Sequence, residues 1–260
     1  MRQFLVFAGV STGLIVNGRP VLFRAFHQVD VGAIRYAQGH NIQCVGIAIA
    51  VVFVNVRQRC LGFQQSAQLC RTQRSITDVL VCTYQAISGA GKTFETFPDI
   101  LDNVIPYIGG EEEKSEQEPL KLWGYIEGDK IVSADAPRFT AQCLRVPVSD
   151  GHMGAVFVRF ANKPSKDEIL KAWKEFHGPA QDLNLPSAPK QFLHYFEEND
   201  RPQPKLDRML ENGMAVSIGR LREDNQYDYK FVCLSHNTLR GAAGGAVLLA
   251  ELLAAKGYFG

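Results

Sequence analysis

The chain has 260 residues, of which 46% are hydrophobic and 21% are charged, and its formal net charge is +1. This apolar content is sufficient for a packed core in one large domain or two small ones. A nearly neutral chain has no general electrostatic attraction to nucleic acid or to an anionic membrane, so we predict neither as a partner. The apolar run at residues 45–54 is too short to span a bilayer.

The six cysteines are scattered along the chain, and no two of them form a Cys-x-x-Cys pair. We therefore predict neither a metal site nor a disulfide framework, and a reducing, cytoplasmic location. Arg2 and the apolar stretch after it faintly resemble a signal peptide. The small-residue cleavage site is poor and Arg19 and Arg24 follow soon after, which argues against secretion.

Charge divides the chain into two parts. Residues 1–76 contain eight arginines, one aspartate and no lysine or glutamate, which gives +7, and residues 77–260 carry −6. Basic arms that bind nucleic acid are usually richer in lysine and less apolar, so we favour a wrongly joined exon or a translated non-coding stretch, with disorder as a further alternative. The predicted boundary therefore divides the chain into an atypical segment at 1–76 and a folded domain at 77–260.

The predicted elements of the second part mix strands and helices. A buried strand at 77–84 precedes a turn at 88–91, and a helix with an acidic start follows at 111–125, where Pro119 predicts a late start or an interruption. Strands are predicted at 140–148, 154–160, 214–221 and 229–234. An amphipathic helix at 166–176 has Ser165 and Glu168 as a capping pair, and residues 179–204 are predicted to be irregular because they are rich in proline.

The last predicted element is an apolar helix that starts after HNTLRGAAGG at 236–245 and stops at Gly257. Small residues at such a start let the backbone approach a ligand or another helix closely. Its leucine face should remain partly exposed if no second domain covers it: Leu248, Leu249, Leu252 and Leu253. Because the elements do not alternate strictly as βαβ, the fold class is α+β.

Four segments, in this order, carry a family resemblance: YQAISGAG at 84–91, DNVIPYIGGEEEK at 102–114, QCLRVPVSDGH at 142–152, and HNTLRGAAGG at 236–245. Together they resemble the aspartate-semialdehyde dehydrogenases, particularly the fungal and archaeal branch, over residues 77–260. The resemblance implies a glyceraldehyde-3-phosphate-dehydrogenase-like C-terminal domain, joined here to a degenerate or missing Rossmann domain. It also implies a homodimer or homotetramer that forms through residues 77–260.

The implied reaction reduces aspartyl phosphate with NADPH to aspartate semialdehyde in lysine, threonine and methionine biosynthesis. His152, whose residue type suits proton transfer near neutral pH, would be the acid/base catalyst, and Gln85 would orient the acyl intermediate. Arg145 would hold the substrate carboxylate, which suits its planar pair of donors. Glu111 and Lys114 would bind the substrate amine and phosphate.

NADP is the implied cofactor. Ser88 and Gly89 would lie near it, and Asn237 would hold its nicotinamide amide, because an amide side chain offers both a donor and an acceptor. The segment AISGAGKT at 86–93 also satisfies the loose form of a phosphate-binding P-loop, which would require a helix after Thr93.

The nucleophile that the family needs has no clear match. The family thiolate attacks the acyl phosphate and forms a thioester before hydride transfer. Cys44 is the nearest candidate, but it lacks the Ser or Thr that follows the family cysteine and stands too far from Gln85, and Cys60 lies in no motif. We therefore expect an impaired or inactive enzyme. The alternatives are a non-catalytic dimerisation module or truncated fragment, and a related N-acetylglutamyl-phosphate reductase.

Overall fold

The computed structural model describes residues 76–258 apart from 124, 128 and 129, together with two short paired strands, β1 (Ile15–Val16) and β2 (Arg19–Pro20). Side chains are described for the same part of the chain from residue 76, apart from residues 122–131. The rest of the segment 1–76 lies outside the described residues. Its assignment as an atypical segment in place of a cofactor domain stays a prediction.

A mixed sheet of six strands forms the centre of the described domain. Its strands are β3 (Ile76–Gln85), β6 (Arg138–Arg145), β7 (His152–Phe160), β8 (Leu193–Phe196), β9 (Val216–Glu223) and β10 (Tyr229–Ser235). They lie side by side in the order β6-β3-β7-β10-β9-β8. The pairs β3–β6 and β8–β9 are parallel, and the other neighbours are antiparallel. A separate hairpin pairs β4 (Tyr125–Glu127) with β5 (Lys130–Val132).

One face of the sheet is the main hydrophobic core. Alternate residues of the central strands point into it, among them Val79, Val156 and Phe231. Helix α2 (Lys166–Lys174) covers this face with Ile169 and Trp173. The predicted capping pair is confirmed, because the Glu168 N–H donates to Ser165 Oγ and the Ser165 N–H donates to Glu168 Oε2.

The opposite face of the sheet is only half-buried. The intervening residues of β3 and β7 point to it, among them Leu80, Cys82, Ala155 and Phe157. Tyr84 on this face is 39% exposed. A mostly apolar sheet face that keeps this much accessible surface is typical of a protein–protein contact.

Two sequence-based expectations about local structure were wrong. Helix α1 (Glu111–Trp123) begins at Glu111 and continues through Pro119, because the acidic first turn stabilises the helix start ahead of the proline. The segment 179–204 is not irregular throughout, since it contains α3 (Pro179–Asp182) and the edge strand β8. Pairing with β9 supplies the backbone partners of β8, which outweighs the local proline content.

The C-terminal region contains two short helices, α4 (Pro204–Asp207) and α5 (Leu210–Gly213), ahead of the last helix. Residues Leu239–Ala243 form a π-helical turn that leads into α6 (Gly244–Ala255), which ends before Gly257 as predicted. A Cβ on Gly244 would lie 2.6 Å from Met214 Sδ, so the expected close packing of the helix start is confirmed. Leu248 and Leu252 are buried against Met214 and Leu185, so only part of the leucine face stays accessible.

Candidate functional site

Sheet topology brings the predicted site residues to one end of the sheet. The parallel register of β3 and β6 sets Gln85 opposite Arg145, each the last residue of its strand. The antiparallel strand β7 begins at His152 at this same end, where β10 finishes with Ser235 opposite His152. Strand ends are positions from which side chains of different segments can converge, as a binding site requires.

His152 is 2% exposed and has its ring fixed by the backbone. The Ala86 N–H donates to His152 Nδ1 at 3.1 Å, so the neutral ring carries its proton on Nε2. Burial lowers the pKa of His152 to about 3, and the positive charge of Arg145 adds to this shift, whereas the Gly151 backbone and the Asp150 carboxylate oppose it. At neutral pH the site therefore contains an uncharged imidazole whose Nε2 can donate a hydrogen bond.

Gly89 lies close to both the Arg145 and the His152 side chains. A Cβ on Gly89 would lie 3.0 Å from Arg145 Nη1 and 3.0 Å from His152 Nε2, so one methyl group would touch both. We call the space that this Cβ would fill the Gly89 gap. Arg145 is itself buried, and its Nη1 donates to the Ala86 carbonyl oxygen at 2.6 Å. Burial lowers the pKa of Arg145 and the Glu111 carboxylate raises it.

Glu111 and Lys114 lie beside this pair, at the start of α1. Gln85 Nε2 donates to Glu111 Oε2 at 3.4 Å, and Lys114 Nζ lies 3.1 Å from Glu111 Oε1. Gln85 is 1% exposed and also donates to Thr83 Oγ1. The structure therefore joins the predicted residues of β3, α1 and β6 into one cluster, with Lys114 at its exposed edge.

Asn237 links three segments of this site. Its Nδ2 donates to Ser88 Oγ at 2.9 Å, and its Oδ1 accepts the Gly151 N–H at 2.8 Å. The Gly151 donor fixes which end of the amide is oxygen, because only the carbonyl end can accept. Asn237 thus lies next to Ser88, and its two polar groups are engaged with the protein.

Among the described residues, the cysteines are poor candidates for a nucleophile. Cys143 and Cys233 are buried, and Cys82 lies on the half-buried face of the sheet, opposite the main core. Burial raises the pKa of Cys82 and of Cys143, whereas a nucleophilic cysteine needs a lowered one. The predicted candidate Cys44 lies outside the described residues.

The P-loop alternative is wrong. After β3 the chain forms a 3-10 turn at Ile87–Ala90, and the residues from Gly91 to Phe97 are turns and irregular backbone. A P-loop needs a helix at this point, so that its N-terminal N–H groups face the phosphates. Gly89 serves instead to bring the backbone close to Arg145 and His152.

Arg208 and His236 are site neighbours that the sequence did not reveal. Arg208 Nη1 donates to Ser149 Oγ at 2.9 Å and to the Asp150 carbonyl at 3.1 Å, so it holds the loop that leads into His152. His236 is buried behind this loop, and burial lowers its pKa. Arg208 comes from a segment without a recognisable motif, and His236 opens the HNTLRGAAGG segment but was assigned no role there, so the three-dimensional arrangement places both beside the site.

The described residues contain neither a metal-binding cluster nor a membrane span. No group of three or more His, Cys, Asp or Glu side chains is arranged there to hold a metal ion. No described helix is both long enough and apolar enough to cross a bilayer.

Comparison with known proteins places the domain. A family model described as semialdehyde dehydrogenase, dimerisation domain, matches residues 71–240. The aspartate-semialdehyde dehydrogenase of Aspergillus fumigatus is 46% identical over 190 residues, which cover 70% of this chain and 52% of that protein. The protein of the same name from Archaeoglobus fulgidus is 47% identical over 175 residues, or 67% of this chain and 50% of that one.

Solved structures agree with this placement. The crystal structure of aspartate semialdehyde dehydrogenase with NADP from Candida albicans matches with a TM-score of 0.62 and 43% identity, over 70% of this chain and 51% of that one. An enzyme from Vibrio cholerae at 22% identity, with a TM-score of 0.56 over 82% of this chain and 61% of that one, shares the fold.

The predicted α+β class and glyceraldehyde-3-phosphate-dehydrogenase-like C-terminal domain are confirmed. The chain spans about half the length of the curated relatives it matches. The family match covers more than half of the chain, including every segment that forms the site. The chain therefore belongs to the semialdehyde dehydrogenase family and contains its dimerisation domain.

Proposed function

We propose that this chain carries the substrate-binding and acid/base half of an aspartate-semialdehyde dehydrogenase. The reaction is the reduction of aspartyl phosphate by NADPH to aspartate semialdehyde and phosphate. The observation that carries the proposal is the convergence of Arg145 and His152 on the Gly89 gap, with Gln85 and Glu111 beside them. The names of the relatives described above favour aspartyl phosphate over acetylglutamyl phosphate as the substrate.

Each polar residue has a role that its surroundings support. Arg145 is the buried cation, and its planar guanidinium suits the substrate carboxylate. Glu111 would accept hydrogen bonds from the substrate amine, and Lys114 at the exposed edge would meet the phosphate. To act as acid/base catalyst at Nε2, the ring nitrogen that faces the Gly89 gap, His152 would give up the Ala86 N–H bond and shift its proton to Nδ1, while Gln85 orients the acyl group.

The residues around the Gly89 gap also fit NADP. A Cβ at position 89 would press on His152 Nε2, so the glycine keeps open the approach to this nitrogen that a nicotinamide ring would need. When bound, the cofactor supplies the hydride. Ser88 and Asn237 stand beside this gap, and Asn237 would exchange its present partners for the cofactor carboxamide.

The half-buried sheet face is the surface through which we propose that two copies associate. Leu80, Tyr84, Ala155 and Phe157 supply an apolar centre on adjacent strands. The matching family model is named for dimerisation, which supports a homodimer. A homotetramer, the absence of a nucleic-acid partner and a cytoplasmic location stay predictions.

A non-catalytic dimerisation module is the second candidate function. One observation favours it: within the part of the chain that the structure describes, no cysteine combines exposure towards the site with a lowered pKa. In this case the domain would assemble with copies of itself and bind ligands without turning them over. The two candidates share the site and differ in catalysis.

Binding tests the site directly. The full chain should bind a phosphonate analogue of aspartyl phosphate, and Arg145→Gln should weaken binding at least about tenfold, because a buried charge-assisted pair is lost. Arg138 lies on the same strand with a side chain that is 80% exposed, so Arg138→Gln is the matched control and should bind normally. Absence of binding by the unaltered chain, or equal loss in both variants, would overturn the proposal.

A further inference from the structure

Strand β6 is an edge of the main sheet, and its outer side is hydrogen-bonded by side chains of α1. Glu116 Oε1 accepts the Ala141 N–H at 3.0 Å, and Glu112 Oε1 accepts the Cys143 N–H at 3.0 Å. The next outward N–H, that of Arg145, donates to the Ile105 carbonyl. Two glutamates therefore continue the sheet where a further strand would otherwise pair.

The spacing of the two glutamates matches the strand. Four residues along a helix rise by about 6 Å, and two residues along a strand advance by about 6.6 Å. Glu112 and Glu116 can thus meet every second N–H of β6 without distortion, with the helix antiparallel to the strand. Glu112 Oε1 also accepts from Gln142 Nε2 at 3.0 Å, which adds a third bond.

These bonds fix both the height and the rotation of α1 against the sheet. Glu111 directly precedes Glu112 and points to Gln85 Nε2, and its charge acts on Arg145. A helix that slid by one residue or turned about its axis would lose these contacts, because neighbouring residues differ by about 100° around a helix. The position of Glu111 in the cluster therefore depends on the two bonds below it.

We propose that Glu112 and Glu116 are positioning residues, which lock α1 to the edge of β6 so that Glu111 and Lys114 face the substrate. This role rests on the proposed function, because that function identifies the substrate. The position of α1 that the role requires can be measured without any ligand. Glu113 is exposed on the same turn and serves as the control.

The test is amide hydrogen exchange and NMR of the Gln85 side-chain amide in the full chain. In Glu112→Ala, the Cys143 amide should exchange about tenfold faster or more, because its bond to the helix is gone. The Gln85 side-chain resonance should shift as Glu111 moves away. Glu112→Gln keeps the accepting carbonyl and should preserve both signals, and Glu113→Ala should change neither.

Glu116→Ala is the second variant, and it decides the outcome if Glu112→Ala does not fold. It should speed amide exchange at Ala141. It should also shift the Gln85 side-chain resonance, because α1 moves and carries Glu111 with it. Faster exchange with an unchanged Gln85 resonance would show that the glutamates only protect an edge, which overturns the positioning role. Unchanged exchange at both amides would overturn the lock itself.

Binding of the phosphonate analogue distinguishes the positioning role from the proposed function. If the unaltered chain binds the phosphonate analogue, Glu112→Ala should weaken binding at least about fivefold and Glu112→Gln should not. If the unaltered chain does not bind it, the proposed function fails while the exchange and Gln85 measurements still decide the positioning role. Normal analogue binding by Glu112→Ala would contradict the positioning role.

Discussion

Arg145 Nη1 and His152 Nε2 each stand 3.0 Å from the point that a Cβ on residue 89 would occupy. A buried guanidinium so close to an imidazole favours the uncharged form of the ring, as does its burial. The arrangement gives the site one permanent cation and one neutral donor at neutral pH. An anionic substrate with a developing oxyanion would meet complementary charge at both positions.

The change Gly89→Ala should damage the site more than the fold. The new methyl group would press on both side chains, and such overpacking costs about 1–3 kcal/mol in stability. We expect the free energy of unfolding in urea to fall by this amount and binding of the phosphonate analogue to be lost. Gly109→Ala is the control, since its nearest contact, Tyr107 Oη, lies at an ordinary 3.7 Å. Full binding by Gly89→Ala would mean that the Gly89 gap is not part of the binding site.

The lowered pKa of His152 predicts a loss of stability in acid. Its pKa falls from 6.5 in the unfolded chain to about 3 in the folded one, so only the unfolded state takes up a proton between these values. Above pH 6.5 the lowered pKa of His152 has no effect on the free energy of unfolding. That free energy declines as pH falls from 6.5 towards 3. The His152→Gln variant should therefore show a flatter decline, by up to about 1.4 kcal/mol per pH unit.

Urea unfolding between pH 7 and 4 measures this difference. Burial also lowers the pKa of His236, which contributes in the same direction and is unchanged in both proteins. His177, with a side chain that is 65% exposed, provides the control variant His177→Gln. Parallel curves for the unaltered chain and His152→Gln would show that His152 titrates normally in the folded protein.

Elements with strong local signals could be predicted from the sequence. The capping pair of Ser165 and Glu168 set the start of α2, and the apolar alternation of β3 and β7 gave their positions to within two residues. The edge strand β8 was missed because its pairing partner β9 is distant in the chain and its neighbourhood is rich in proline. Long-range pairing leaves little trace in a local pattern.

The site was predictable only in part, for a similar reason. Motif resemblance indicated Arg145, His152 and Glu111. The sheet register explains why Arg145 and His152 converge, and Glu111 joins them from α1 through its bond to Gln85. In the sequence Glu112 was only part of the acidic helix start, yet it bonds a strand that lies about 30 residues further along the chain. The binding and catalytic roles of Arg145, His152 and Glu111 stay predictions. The same holds for the other assigned site residues, which are Lys114, Ser88, Asn237 and Cys44.

Removing the cap of α2 should cost stability without affecting the site. In Ser165→Ala the Glu168 N–H loses its acceptor, and the loss of such a cap costs about 1 kcal/mol. The midpoint of urea unfolding should fall, while binding of the phosphonate analogue stays unchanged. An unaltered midpoint would mean that solvent replaces the cap at no net cost.

The proposed dimer predicts a sensitive position on the half-buried sheet face. Tyr84→Arg would place a charge in the apolar centre of the contact, where it would be desolvated without a partner. Sedimentation velocity should show a dimer for the unaltered chain and a monomer for this variant. Leu206→Arg changes a residue that is 58% exposed on α4 and should leave the dimer intact. A monomeric unaltered chain at every concentration would contradict the proposed assembly.

Catalysis by this chain is the sharpest prediction. We expect negligible NADP-dependent oxidation of aspartate semialdehyde in the presence of phosphate, because the described thiols are buried or have a raised pKa. Covalent catalysis requires a thiolate, and each tenfold loss in rate corresponds to about 1.4 kcal/mol of transition-state stabilisation. The measurement is NADPH formation by the purified full chain and by Cys44→Ser. A turnover of about one per second that Cys44→Ser abolishes would make Cys44 the nucleophile and the chain a complete enzyme.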